Sequence, residues 1–148
     1  MKKFTFKLRS VLKLRTQDES AAAQHHAEAL HRVQNLQEDI SELEDSLKDQ
    51  SQQLRNRMDQ GSQSVILRMS QKGIDYYETQ ITQKSVELHD AMAELEQKKR
   101  ELFEARREKK IIEKYQEELQ EQHRYQTDQH EQKGIDEIAS RGGISTSD

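Results

Sequence analysis

The chain has 148 residues, no cysteine, proline or tryptophan, a hydrophobic share of 31%, a charged share of 35% and a net charge of −4. Ordinary soluble domains carry roughly 45–50% apolar residues, so a rounded core is excluded, whereas a two-in-seven coiled-coil seam asks for about 29%. Disulfide and thiol chemistry are excluded with cysteine, and no apolar run approaches the roughly 18 residues that span a bilayer.

The first fifteen residues hold Lys2, Lys3, Lys7, Arg9, Lys13 and Arg15, and no acid. Charges interrupt the opening Met1-Lys2-Lys3-Phe4-Thr5-Phe6-Lys7-Leu8. It has no apolar h-region and no small-residue cleavage site, so an intracellular protein is expected. Helix 1 is predicted over about residues 4–58. One heptad frame carries Leu8, Leu12, Ala22, Ala29, Val33, Leu36, Ile40, Leu43, Leu47 and Leu54. Arg15, Glu19 and His26 share that frame and weaken it, and Ala21, Ala22 and Ala23 permit only close, thin packing.

Gln60-Gly61-Ser62-Gln63-Ser64 is the best breaker in the middle of the chain and sets a turn at about 59–63. Helix 2 is predicted over about 64–140. Leu67, Ile74, Ile81, Leu88, Leu95 and Leu102 recur there every seven residues. Gly73 lies inside it at a cost of about 1 kcal/mol relative to Ala. Beyond Leu102 the seam loosens: Ala105, Ile112 and Leu119 hold one position, while Lys109, Gln116 and His123 take the other. Residues 120–134 can bury little. Arg141-Gly142-Gly143 is expected to end the helix, leaving a flexible tail over 141–148.

These runs predict an all-α fold, a long antiparallel two-helix coiled-coil hairpin with a protruding C-terminal helix end, as one domain over residues 1–148. A parallel homodimer of one continuous helix, a structural spacer, is the competing architecture. Symmetric pairing about Gln60–Gly61 sets Leu54 beside Leu67, Leu47 beside Ile74, Ile40 beside Ile81 and Val33 beside Leu88, with Met1 near Gln120. At 1.5 Å per residue the paired part spans roughly 85 Å and the overhang roughly 20 residues, about 30 Å. Ile81 and Leu88 read as central knobs, each costing roughly 2–4 kcal/mol on truncation to Ala. Lys84 sits in the frame with a stem long enough to snorkel past the seam.

The chemistry-bearing residues are sparse. His25, His26, His31, His89, His123 and His130 contain no His-x3-His pair to hold a metal on one helix face. No phosphate loop or nucleophile elbow is present, and two helices offer no concave pocket to shift carboxylate pKa values. A non-enzymatic protein without cofactor or metal is expected. No aromatic stacking platform supports nucleic-acid binding. Charge says more. The predicted pairing brings the N-terminal cations beside Arg106, Arg107, Lys109, Lys110 and Lys114, while Glu38, Asp39, Glu42, Glu44, Asp45 and Asp49 lie toward the turn. A doubled basic cluster suits an acidic partner surface, although Glu101, Glu104 and Glu108 interleave with it. Phe4, Phe6 and Leu8 on a basic segment allow peripheral membrane association as a further reading.

Three segments together resemble the FliJ family of the bacterial flagellar type III export apparatus. They are the aromatic-basic lead Phe4-Thr5-Phe6-Lys7-Leu8-Arg9-Ser10-Val11-Leu12-Lys13-Leu14-Arg15, the turn region from Met58 to Ser64, and the closing Glu131-Gln132-Lys133-Gly134-Ile135-Asp136-Glu137-Ile138-Ala139. The resemblance implies a non-catalytic stalk, similar to the rotary ATPase gamma subunit, that inserts its paired termini into the ring of the export ATPase FliI, whose regulator is FliH. It implies promotion of ring assembly and ATP hydrolysis, a link to the export gate protein FlhA, and binding of export chaperones at the cytoplasmic face of the inner membrane. The corresponding stalk of a virulence injectisome would look the same. Contacts with the ring are expected from Lys7, Arg9, Lys13, Arg106, Arg107 and Lys110, and from Ile135, Asp136, Glu137 and Ile138. Members of the family carry exposed aromatics in the turn half. Here Ser46, Gln50 and Gly73 are not aromatic, which leaves Leu43, Tyr76 and Tyr77 as gate contacts.

Overall fold

A computed structural model describes the backbone of residues 3–146 and the side chains of residues 3–142. Two helices, α1 over Arg9–Asp59 and α2 over Ser64–Thr146, make up nearly all of it. They pack against each other as an all-α helical hairpin, with no strand among the described residues.

Helix α1 begins at Arg9 rather than near residue 4. The reason is legible in the lead itself. Phe4, Phe6 and Leu8 alternate with Thr5 and Lys7, the period of two that belongs to extended chain. The first three are buried or half-buried and the other two exposed. A helix would turn those apolar side chains to different faces. The first helical turn then closes through Arg9 N–H to Phe6 O at 3.2 Å and Leu12 N–H to Leu8 O at 2.9 Å.

The turn falls where Gly61 predicts it. Gly61 has a φ of 69°, the left-handed region. Its N–H donates to Met58 O at 3.2 Å, and Ser62 N–H donates to Arg57 O at 3.0 Å. Those two bonds are the Schellman pattern, which satisfies carbonyls that a helix end leaves open. Gly73, by contrast, lies in α2 without a positive φ, and a Cβ there would meet only Gln50 Oε1 at 3.8 Å. The two glycines should therefore respond oppositely to alanine. Gly61→Ala is expected to destabilise by about 1–2 kcal/mol through backbone strain alone, since nothing lies within 4 Å of its added Cβ. Gly73→Ala is expected to stabilise by roughly 0.5–1 kcal/mol. Thermal melts of the two variants check both signs.

At the other end α2 does not stop at Arg141-Gly142-Gly143 but continues to Thr146. Glycine ends a helix by turning left-handed, and Gly142 does not; among the described glycines only Gly61 has a positive φ. A helical glycine merely costs about 1 kcal/mol. Of the expected tail, residues 147–148 lie outside those described.

The chain groups into two compact units, the described parts of Met1–Ser20 with Glu104–Asp148, and Ala21–Phe103. In the second unit Val33, Leu36 and Ala91 form the buried cluster, with Leu88 and Leu95 packed against it. Ala29, Ile74 and Leu102 are buried as well, while Ile81 is only half-buried. The deepest packing thus sits at Val33, Leu36 and Ala91 rather than at the Ile81 knob. Ala91, 1% exposed, is the most buried residue of the cluster although its side chain is only a methyl. Lys84 behaves as a snorkelling seam residue, with its Nζ 3.7 Å from Glu87 and 4.0 Å from Asp39. Arg57 donates to the buried Ser70 hydroxyl at 2.6 Å, a polar layer near the turn. Arg32 reaches Glu94 at 3.1 Å. All three cross-helix pairs place the α2 partner further along the chain than symmetric pairing about Gln60–Gly61 does. The connection runs from Gln60 to Gln63, so its midpoint lies later in the chain, and antiparallel layers interdigitate.

Candidate functional site

In the terminal unit the extended lead lies against α2. Phe6 is 7% exposed, its ring centroid 6.4 Å from that of Tyr115. The Phe4 and His123 rings are 5.5 Å apart. With Leu8 and Leu119 these side chains line a groove of about 500 Å³. Sequence reasoning assigned Phe4 and Phe6 to a helix and missed the groove. The signal was the Phe-x-Phe-x-Leu alternation.

Acids stand among the cations of the terminal unit, the interleaved Glu104 and Glu108 together with Glu19. Arg106 lies 3.6 Å from Glu19, and Lys109 lies 2.9 Å from the same carboxylate. Arg15 donates to Glu108 at 2.7 Å, and Arg107 stands 3.9 Å from Glu104. The Lys109 ammonium bonded to Glu19 holds its carboxyl below the usual range, with the charges of Lys109 and Arg106 adding to it against a partial desolvation. The same bond to Glu19 raises Lys109. This link is therefore kept at neutral pH and lost as pH falls through the lowered carboxylate range or rises through the raised ammonium range. Arg106 and Arg107 each have a carboxylate within 4 Å, and Arg106 shares its carboxylate with Lys109. Lys7, Arg9, Lys13 and Lys110 are exposed and have no carboxylate partner among the described residues.

Beyond Thr127 every described side-chain position of α2 is exposed except Gly134. Asp136 accepts from Gln132 Nε2 at 3.1 Å, and Glu137 pairs with Arg141 at 3.2 Å. These are local i,i+4 links that support an uncovered helix. Between them Ile135 and Ile138 stand 60% and 70% exposed, three residues apart and so on one face. In the other unit Leu43 and Tyr76 line a shallow groove with Asp39, Glu42 and Lys84. Tyr77 is half-buried, its ring edge-on to Tyr76 at 5.7 Å. The three gate candidates are therefore split: Leu43 and Tyr76 line one groove, and Tyr77 touches it only through the Tyr76 ring.

Among the described residues no group of His, Asp or Glu side chains is placed to hold a metal ion. Among the same residues no helix is long and apolar enough to cross a membrane. In comparison with known proteins, the family described as flagellar FliJ protein matches residues 4–146. No curated protein and no solved structure matches the chain.

Proposed function

Because the chain belongs to the FliJ family, whose members serve flagellar type III export, we propose that it is the non-catalytic stalk of the export ATPase. In this reading the terminal unit engages the ring of FliI through Lys7, Arg9, Lys13 and Lys110. The α2 end, with Ile135, Asp136, Glu137 and Ile138, enters the ring. Arg106 and Arg107 contribute less, because Glu19 and Glu104 already answer their charge. The stalk promotes ring assembly and ATP hydrolysis. The groove at Leu43 and Tyr76 meets the gate protein FlhA, and export chaperones and the ATPase regulator FliH complete the set of partners at the cytoplasmic face of the inner membrane.

The observation that carries the proposal is the unanswered charge of the terminal unit. Four exposed cations without a carboxylate partner among the described residues gain most from an acidic surface. The triple variant Lys7→Glu, Lys13→Glu, Lys110→Glu tests it. Exposed substitutions of this kind change stability by about 0.5 kcal/mol or less each, so helicity should stay. Stimulation of the cognate ATPase should fall at least about tenfold at low salt and less at high salt, where screening already weakens the native contact. A variant that stimulates like the native chain at every salt concentration would reject the basic contact.

A further inference from the structure

The turn end of the second unit carries an apolar surface that neither the seam nor the ring contact uses. Met58 is 60% exposed, Val65 62%, Ile66 40% and Met69 67%. Met58 lies in the last turn of α1, and the other three lie in the first two turns of α2. Val65 and Met69 are four apart and Ile66 and Met69 three apart, so they are surface neighbours on the helix. At a rise of 1.5 Å per residue, all four fall within roughly 10 Å of the connection. Around them stand Arg55, Arg68 and Lys72, which have no carboxylate partner among the described residues. Between Arg55 and Lys72 the only acid is Asp59. Helix α2 has no acid in its first turn, so its open N–H groups also face outward without a counter-charge.

We infer that this turn docks on an anionic phospholipid surface, with Met58, Val65, Ile66 and Met69 entering the acyl boundary and Arg55, Arg68 and Lys72 meeting lipid phosphates. The placement of charge favours a lipid surface over an acidic protein cleft. The apolar side chains lie within two turns on either side of the connection, and a deformable boundary accepts them without a matching cavity. The cations are long, unpaired and distributed on both helices around the apolar patch, the arrangement of an interfacial anchor with a basic rim. The inference stands apart from the ring contact and survives its failure.

Flotation of the full chain with vesicles of phosphatidylglycerol and phosphatidylcholine in equal parts tests it, beside vesicles of phosphatidylcholine alone. The native chain should float with the anionic vesicles only, and high salt should release it. Arg68→Gln with Lys72→Gln should weaken partitioning by roughly thirtyfold. Ile66→Ser with Met69→Ser should weaken it by about tenfold or more. Both pairs are exposed, and unchanged helicity and melting would establish that they fold. Lys7→Gln with Arg9→Gln should float like the native chain. If that variant alone lost binding, the site would be the N-terminal lead and the inference would be overturned. If the native chain floated with neither vesicle while the turn variants lost export in cells, the turn would belong to an acidic protein surface, and lipid docking would be rejected.

Discussion

Leu36→Ala is expected to destabilise the protein by about 2–4 kcal/mol, the largest loss from any single truncation in the seam. Leu36 is 6% exposed and packs with Val33 and Ala91 in the buried cluster, with Leu88 and Leu95 against it. Removing its isobutyl group opens a void that neighbours on two stiff helices cannot close. Ala91 makes the loss worse, because its methyl has no reach to fill the space. Leu30→Ala is the matched control. Leu30 is 39% exposed on the same helix, so the same atoms are removed from a site much more open to solvent and the cost should be smaller, about 1 kcal/mol. Thermal and denaturant melts followed by circular dichroism measure both. Equal midpoints for the two variants would show that the seam runs on another face.

Removal of residues 131–148 is expected to leave the melt of the hairpin nearly unchanged while sharply reducing stimulation of the export ATPase. The structural half of this expectation rests on exposure. From Asp128 onward the described part of α2 buries no side chain, and its links are local pairs such as Arg141 with Glu137. Segments without long-range contacts carry little of the global stability. The functional half rests on Ile135 and Ile138, apolar neighbours with no internal cover. In the proposed function this pair is the apolar contact that the α2 end makes inside the ring. The point variant Ile135→Ser with Ile138→Ser separates the apolar contact from mere length. Full stimulation by the truncated chain would reject insertion of the α2 end, and the cations Lys7, Lys13 and Lys110 would then have to act alone.

Much of this architecture was legible in the heptads. The half-buried positions include Arg15, Glu19 and His26, which composition alone would have placed outside a seam. The seven-residue spacing kept them in it, because position on a helix is set by geometry before chemistry. Gly61 was legible for a similar reason: a left-handed residue after a long helix has few chemical alternatives. What failed to show were features decided by tertiary contact. The lead from Phe4 to Leu8 was read as helix because its aromatic rings have no helical partner to contradict that reading until Tyr115 and His123 are placed beside them. The end at Gly142 was misjudged because a glycine signals a stop only when its backbone turns left-handed. The basic cluster was half legible. Its cations are read directly from the sequence, but a shift of about one turn in register brings Glu19 to Arg106 and Lys109, and heptads alone cannot fix such a shift.

The thinness of the seam has a thermal consequence. Only seven hydrophobic residues are buried among those described, so unfolding newly wets little apolar surface relative to the polar helix backbone it exposes. Apolar hydration raises the heat capacity of the unfolded chain and polar hydration lowers it. The heat-capacity increment per residue should therefore lie below the roughly 12–15 cal/mol/K of ordinary globular proteins. A small increment flattens the curve of free energy against temperature. The protein then loses its fold gradually at the warm end and keeps it far into the cold, a breadth of working temperature obtained from shallow packing rather than from strength.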